Sequence, residues 1–238
     1  MVLQHIDDEP AALIGDFFDR EGIPWEIMRF YAGDEKPQDT NRWNGLVIMG
    51  GPMGVYEEHK HPWLLQEKTF IRDFVNTATH RRPILGVCLG AQLLANALDD
   101  SEVYPGPQKE LGWGEVEWTS EAQRHPYFKH FPEKQTVFHW HGDTFHLPQG
   151  AIRLAGNAIY RNQAFAYGPR IVGLQFHIEV TAELIRKWIE LPFSAPDIAA
   201  TGGMMRLEQQ LEEAEQYVPQ AQESLNELLR NLFKPGVR

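Results

Sequence analysis

The chain has 238 residues, which is long enough to bury one sizeable core in a single domain or two small ones. Its 33 acidic and 22 basic residues give a formal net charge of −11 without any long Lys/Arg run, so we expect it to bind neither nucleic acid nor an anionic membrane. A single cysteine excludes an internal disulfide and is typical of a reducing compartment. There is neither a recognisable signal peptide nor an 18-residue apolar run, so we expect a cytoplasmic location.

Apolar runs and helical periodicities alternate in the first half of the chain. Short apolar runs predict strands at residues 1–5, 25–30, 45–49 and 83–87. Helical spacing of apolar residues predicts helices at residues 11–21, 64–77 and 91–98. This alternation predicts an α/β fold with an open, mostly parallel sheet of the flavodoxin-like type, flanked by helices.

The second half of the chain is richer in predicted strands and ends in helices. Strands are expected at residues 112–118, 136–140, 151–155, 164–167 and 171–175, and a short helix at 181–190. After a stretch that contains proline and glycine, the tail has helical apolar spacing at Leu225, Leu228, Leu229, Leu232 and Phe233. We therefore predict an α/β domain at residues 1–190 and a helical extension at 191–238 packed on the same domain, with a homodimer face as the alternative role of the tail.

The single cysteine, Cys88, lies in a turn that is typical of a nucleophile. The segment PILGVCLGAQ runs from an apolar strand through Gly-x-Cys-x-Gly into a helix, which is the cysteine form of the nucleophile elbow. Glycines flank the nucleophile because a sharp strand-to-helix turn leaves no room for Cβ atoms. The alternative is a buried structural cysteine that acts as a small apolar residue.

A cysteine nucleophile needs a general base, and His177 is the best candidate among the ten histidines. It follows the apolar strand at residues 171–175, and Glu179 lies two residues later. Side chains two residues apart leave the same face of a strand, so the carboxylate can orient the imidazole and stabilise its charged form. A His-x-Glu pair is common, and its alternative is a solvated strand end.

Three ordered motifs resemble the class I glutamine amidotransferases that use a Cys-His-Glu triad. They are GGP at residues 50–52, GVCLGAQ at 86–92 and QFHIE at 175–179. The resemblance covers about residues 1–190 and is strongest to stand-alone members that look like the glutaminase domain of GMP synthase. One departure is Ile178, where the family usually has a proline that stiffens the strand end without taking part in the chemistry.

The resemblance implies a role for each matching residue. Cys88 corresponds to the nucleophile, His177 to the base and Glu179 to its orienting carboxylate. The backbone N–H groups of Gly51 and Leu89 correspond to the oxyanion hole. The resemblance also implies substrate-binding positions, at Gln92, Asn162 and Phe165.

The implied reaction is attack of the Cys88 thiolate on the γ-carboxamide of glutamine, followed by a γ-glutamyl thioester and its hydrolysis. No cofactor is expected, and the ammonia would pass to a separate synthetase or acceptor subunit. A stand-alone γ-glutamyl hydrolase or peptidase, which would cleave another γ-glutamyl compound and release an amine, is the main alternative.

Two further patterns suggest other classes of function. His139, His141, Asp143 and His146 have the spacing of metal ligands, but a His-Gly-Asp loop occurs in the resembled family without a metal, so no metal is predicted. The glycine-rich loop at residues 50–54 lacks the endings that bind nucleotide phosphates. A non-catalytic binding module is the least favoured class, because it would be expected to lack one of Cys88, His177 and Glu179.

Overall fold

The computed structural model describes residues 1–77, 81–202 and 204–233, and the side chains of 204–207 are not described. Within these ranges nine strands form one sheet. They are β1 (Val2–Leu3), β2 (Ile27–Met28), β3 (Leu46–Ile48), β4 (Ile84–Val87), β5 (Val103–Trp118), β6 (Lys134–Phe145), β7 (Ile152–Gly156), β8 (Ala164–Tyr167) and β9 (Ile171–Leu174).

Helices follow most of the parallel strands and cover the sheet. They are α1 (Ala12–Arg20), α2 (Trp63–Thr77), α3 (Leu89–Asp99), α4 (Ser120–Arg124), α5 (Ala182–Glu190), α6 (Ala195–Ala200) and α7 (Met204–Phe233). Side-chain caps explain two of the starts, because the hydroxyls of Thr119 and Thr181 accept hydrogen bonds from the first turns of α4 and α5. Among the described residues, no helix combines the length and the apolar character needed to cross a bilayer.

The strand order is β2-β1-β3-β4-β9-β8-β7-β5-β6. The pairings from β2 to β9 are parallel, and those from β9 to β6 are antiparallel. The central strands β3, β4 and β9 are buried along their whole length, because helices cover both faces. The predicted open α/β sheet with flanking and C-terminal helices is confirmed, although its second half is antiparallel.

The C-terminal helix α7 packs on the body of the sheet. Leu225, Leu228, Leu229 and Leu232 share a core cluster with α1 and with one face of the central strands. Farther back along the helix, the backbone carbonyl of Gln210 accepts a hydrogen bond of 3.1 Å from the indole N–H of Trp113. The division of the chain into residues 1–190 and 191–238 stays a prediction. Helix α7 shares its core cluster with residues that precede this boundary.

Two parts of the structure differ from the sequence-based expectations. Strands β5 and β6 are longer than predicted, because residues 103–110 are polar and rich in proline and glycine and become a strand only by pairing with β6. Helices α4 and α6 were not predicted; each has fewer than seven residues, so helical periodicity could not reveal them.

Candidate active site

Cys88 lies at the end of the central strand β4 and immediately before helix α3. Its backbone has φ 51° and ψ −111°, a strained conformation that non-glycine residues adopt mainly where function requires it. The backbone N–H of Cys88 donates to the carbonyl of Leu174 in β9 at 2.7 Å, which fixes the turn to the neighbouring strand. The thiol therefore lies at the carboxyl edge of the sheet, where open α/β folds bind ligands.

The glycines on either side of Cys88 are required by close backbone contacts. A Cβ atom on Gly86 would lie 2.5 Å from the carbonyl oxygen of Gly90, and one on Gly90 would overlap the carbonyl oxygen of Ile48. Helix α3 can approach β3 and β4 this closely only without those side chains. The Gly-x-Cys-x-Gly pattern is thus explained by packing of the turn against two strands.

His177 and Glu179 follow β9 and form a buried hydrogen-bonded pair. His177 Nδ1 and Glu179 Oε1 are 2.7 Å apart, and the other carboxylate oxygen accepts from the backbone N–H of Ile178 at 3.0 Å. Because an ionised carboxylate only accepts hydrogen bonds, Nδ1 carries the proton and Nε2 is available for another partner. The ring of Trp188 packs edge-on against the imidazole at 5.1 Å.

His177 and Cys88 both lie against Gly50. A Cβ atom on Gly50 would lie 3.3 Å from His177 Cε1 and 3.6 Å from the Cys88 Cβ. Burial alone would lower the pKa of His177, but the Glu179 carboxylate and the Cys88 sulfur outweigh burial and hold this pKa well above its usual range. The imidazolium form is therefore favoured next to the thiol.

A chain of two buried glutamines reaches the sulfur of Cys88. Gln92 Nε2 donates to Gln175 Oε1 at 3.0 Å, and Gln175 Nε2 donates to Cys88 Sγ at 3.7 Å. The acceptor role of the Gln175 oxygen fixes the orientation of its amide, so the N–H group is directed at the sulfur. The buried amide of Gln175 is therefore in contact with the sulfur of Cys88.

The Gly50–Gly51 turn is held by a second buried pair. His5 donates from Nδ1 to the carbonyl of Gly50 and from Nε2 to Glu67 Oε1, both at 2.8 Å. Burial would lower the pKa of His5, but Glu67 and the Gly50 carbonyl raise it above the usual value. Gly51 lines the cavity beside Cys88, and Leu89 begins α3, where backbone N–H groups lack intrahelical acceptors.

A cavity of about 380 Å³ opens over Cys88, a size suited to a small-molecule ligand. His177, Gln92, Gly51 and Leu89 all line it. Residues from the C-terminal part of the chain also contribute to its wall, namely Trp188, Phe193, Ser194 and Asp197. The helical extension expected from the sequence therefore contributes directly to the site.

Glu9 is a cavity-lining carboxylate that sequence reasoning missed. A Cβ atom on Gly50 would collide with Glu9 Oε2, so the carboxylate lies against the same glycine as Cys88 and His177. Burial raises the pKa of Glu9 to about 7, although His177 and His5 act in the opposite direction. No sequence motif marked Glu9, because it lies in an irregular loop and reaches the site only through the packing of β1 beside β3.

Two of the predicted substrate-binding residues lie outside the cavity lining. Asn162 Nδ2 donates to the backbone carbonyl of Phe145 at 2.9 Å, and Phe165 is fully buried against Phe145 in the core. Gln92 lines the cavity, but its amide is engaged by Gln175. Gln92 therefore lies in the cavity lining together with Cys88, whereas Asn162 and Phe165 lie outside that lining.

The residues of the histidine-rich segment, in β6 and directly after it, have different surroundings in the structure. Asp143 Oδ2 accepts from the Tyr56 hydroxyl at 3.0 Å in the cavity wall, and His146 is exposed. His139 and His141 instead point at Glu110 of β5, a residue that the sequence did not suggest. Burial lowers the pKa of His139 to about 4, so this ring is neutral at physiological pH.

Comparison with known proteins gives a consistent result. The family model for class-I glutamine amidotransferases matches residues 14–190. The chain is 32% identical over 168 residues to the glutamine amidotransferase-like protein YfeJ of Salmonella typhimurium, covering 71% of this chain and 69% of that protein. It is 30% identical over 159 residues to the glutamine-hydrolysing GMP synthase of Bdellovibrio bacteriovorus, a match that covers 67% of this chain but only 28% of that enzyme.

Solved structures show the same relationship over nearly the whole chain. A glutamine amidotransferase from Thermotoga maritima is 33% identical and superposes with a TM-score of 0.87, covering 98% of this chain and 97% of that one. A glutamine amidotransferase from Methylobacillus flagellatus is 27% identical with a TM-score of 0.85, covering 98% and 93%. With a family match that spans residues 14–190, the chain belongs to the class-I glutamine amidotransferase family.

Proposed function

We propose that the protein hydrolyses the γ-carboxamide of glutamine through a covalent intermediate on Cys88. The observation that carries this proposal is that Cys88 and His177 both lie against Gly50 in the lining of one cavity, with Glu179 hydrogen-bonded to His177 behind them. Membership of the family and the strained backbone at Cys88 support the same chemistry.

In the proposed reaction, the Cys88 thiolate adds to the amide carbon and the oxyanion accepts hydrogen bonds from the backbone N–H groups of Gly51 and Leu89. When the tetrahedral intermediate collapses, the C–N bond breaks and His177 donates its proton to the departing nitrogen, which leaves as ammonia. His177 then takes a proton from water, and the water oxygen attacks the thioester. Glutamate leaves, and the Cys88 thiolate is restored. Glu179 keeps the His177 ring oriented and stabilises its charged form.

The proposed acceptor of the ammonia is a separate synthetase subunit. The GMP synthase of Bdellovibrio bacteriovorus is named as glutamine-hydrolysing, and the present chain matches only 28% of its length. The corresponding function of this chain would therefore be to supply ammonia to a partner protein.

A second candidate is the hydrolysis of other γ-glutamyl amides, and the charge of the cavity favours it. Glu9, Glu57, Asp143 and Asp197 line the wall, where Asp197 is paired with Lys109 and Glu57 with Lys60, so the excess of negative charge comes from Glu9 and Asp143. An acidic wall suits a substrate whose leaving amine carries a further positive charge. Such an enzyme would release a cationic amine instead of ammonia.

The decisive experiment compares wild-type protein with Cys88→Ala. We expect the wild type to release ammonia from glutamine and to gain the mass of one glutamine-analogue electrophile, whereas Cys88→Ala does neither. Equal labelling of both proteins in intact-mass spectrometry would refute the assignment of Cys88. Cleavage of γ-glutamyl diamine amides without release of ammonia from glutamine would select the second candidate.

A further inference from the structure

Three potential metal ligands converge between β5 and β6, on residues that the proposed reaction does not use. Glu110 is directly opposite His141 in the antiparallel register, and His139 lies two residues earlier on the same face of β6. Gly114 of β5 leaves room for the His139 ring, because a Cβ atom there would lie only 3.0 Å from His139 Cδ2. The β5–β6 pairing therefore leaves space for both imidazole rings beside one carboxylate.

The distances between these groups are those of ligands around one ion. Glu110 Oε2 lies 3.1 Å from His141 Nε2 and 3.6 Å from His139 Nδ1, and one ligand atom from each residue lies within 4.8 Å of the others. Tetrahedral zinc with bonds of about 2.0–2.1 Å places its ligand atoms roughly 3.3 Å apart. The two measured distances to the carboxylate oxygen bracket that value.

Most ring nitrogens of His139 and His141 are not used by hydrogen bonds within the described part of the chain. His141 Nδ1 lies 3.1 Å from the backbone carbonyl of Asp143, which can only accept, so Nδ1 carries a proton, and in the neutral ring Nε2 presents a lone pair. His141 Nε2 and both nitrogens of His139 are buried and have no hydrogen-bond partner among the described residues. His141 Nε2 nonetheless lies 3.1 Å from Glu110 Oε2, a contact close enough for charge pairing. A cation between the three groups would bind the lone pair of His141 Nε2 and that of His139 Nδ1, the ring nitrogen that faces the carboxylate.

Neighbouring side chains orient the carboxylate, as outer-shell partners do at metal sites. Asn157 Nδ2 donates to Glu110 Oε1 at 2.8 Å, and Gln163 Nε2 donates to Glu110 Oε2 at 2.7 Å. Together with the contact between His141 and the Asp143 carbonyl, these bonds fix the orientation of two of the three ligands.

We propose that Glu110, His139 and His141 bind one divalent transition-metal ion, and that Zn²⁺ is the ion that fits best. Zn²⁺ is commonly bound by imidazole and carboxylate ligands such as these, whereas Mg²⁺ and Ca²⁺ favour all-oxygen sites. Three protein ligands leave one coordination position for water or another small ligand. His141 also lines the cavity over Cys88, so the proposed ion would lie next to the wall of that cavity.

The test is metal binding by the full chain, independent of any enzymatic activity. Protein stripped with a chelator is titrated with Zn²⁺, and separately with Co²⁺, and retained metal is measured after dialysis. We expect about one equivalent in the wild type and visible absorption typical of four-coordinate Co²⁺. The isosteric Glu110→Gln variant should bind at least about tenfold more weakly, in line with the loss of a metal-site residue.

Two control variants distinguish binding at this site from metal binding by other residues. His146→Ala removes an exposed histidine from the same part of the chain and should retain the full equivalent, as should Cys88→Ala. X-ray absorption of the wild-type zinc form should show nitrogen and oxygen ligands without sulfur, and this measurement needs no variant to fold. Retention of less than a tenth of an equivalent by the wild type, undiminished binding by Glu110→Gln, or loss of the ion in Cys88→Ala would overturn the proposal.

Discussion

At the residue scale, the proposed reaction depends on the protonation state of His177. Its ring lies between the Glu179 carboxylate at 2.7 Å and the Cys88 sulfur, and these neighbours hold its pKa well above the usual value despite burial. The group keeps its proton at pH values where a free imidazole would have lost it. In the proposed reaction this proton goes to the departing nitrogen, so activity should persist into the alkaline range.

Glu179→Gln tests this arrangement. Loss of the carboxylate removes the largest contribution that raises the pKa of His177, so the alkaline limb of the profile of kcat/KM against pH should move to lower pH. We also expect kcat/KM to fall by about 10²- to 10⁴-fold, because the ring loses its orienting partner. Glu183→Gln on the exposed face of α5 is the control and should leave both quantities unchanged. An alkaline limb that stays in place in Glu179→Gln would contradict the proposed role.

The buried carboxyl of Glu9 makes the stability of the fold depend on pH. Because its pKa rises from 4.5 to about 7 on folding, the folded chain binds more protons than the unfolded chain between these values. The free energy of unfolding should therefore decrease as pH rises through this window. Glu9→Gln cannot lose a proton, so relative to wild type it should be more stable at pH 8 than at pH 5, by about 1 to 3 kcal/mol.

Urea unfolding of both proteins at the two pH values measures this difference. Glu35→Gln, at an exposed position, should give the same difference from wild type at pH 5 and pH 8. If Glu9→Gln behaved like this control, the carboxylate would not be buried against Gly50 as described.

The sequence pointed to Cys88, His177 and Glu179 because short motifs carry their local geometry. It could not point to Glu9 or Glu110, since each reaches its partners through strand pairing between distant parts of the chain. Glu110 meets His141 only because the β5–β6 register shifts between Pro105 and Glu110, and no local pattern encodes that shift. Asn162 and Phe165 were implied by the family resemblance without belonging to any of the three motifs, and both lie away from the cavity.

At the scale of elements, the turn between β4 and α3 is the most constrained part of the fold. Gly90→Ala would push a methyl group into the carbonyl of Ile48, which belongs to the rigid strand β3. We expect the free energy of unfolding to fall by about 3 kcal/mol, the upper end for overpacking. Urea unfolding measures the loss.

Gly142→Ala is the matched control for that substitution. Its added methyl group would meet only the flexible side chain of Lys109, at 3.1 Å, so we expect a loss of less than about 1 kcal/mol. Equal losses in the two variants would show that the close approach of α3 to β3 does not limit stability.

The parallel half of the sheet was easier to predict than the antiparallel half. Strands β3 and β4 are buried apolar runs between helices, so composition and spacing indicate them directly. The first part of β5 is partly exposed and polar, and it is extended because β6 supplies its hydrogen-bond partners. Partner-dependent strands of this kind leave no periodicity in their own sequence.

At the scale of the whole molecule, helix α7 packs against helix α1 and so joins the C-terminal and N-terminal parts of the described chain. Leu228 is fully buried in the cluster that also contains residues of α1. Leu228→Ala should lower the free energy of unfolding by about 2 to 5 kcal/mol, because it removes buried methyl groups and leaves a cavity. Leu65→Ala, at a leucine that is 58% exposed in α2, should change it by less than about 0.5 kcal/mol. Urea titrations of the two variants make the comparison, and similar values would indicate that α7 does not pack as described.

The pairing of β4 with β9 has a consequence for how the protein matures on the ribosome. Ile84 pairs with Ile171 and Val87 with Leu174, and the N–H of Cys88 is fixed by Leu174. The thiol is therefore translated long before the strand that fixes its turn and brings in His177. Contacts between such distant segments form late, because closing a long loop costs chain entropy. A nascent chain that ends before β9 carries the nucleophile without its base, so the proposed activity can arise only after most of the polypeptide has been synthesised.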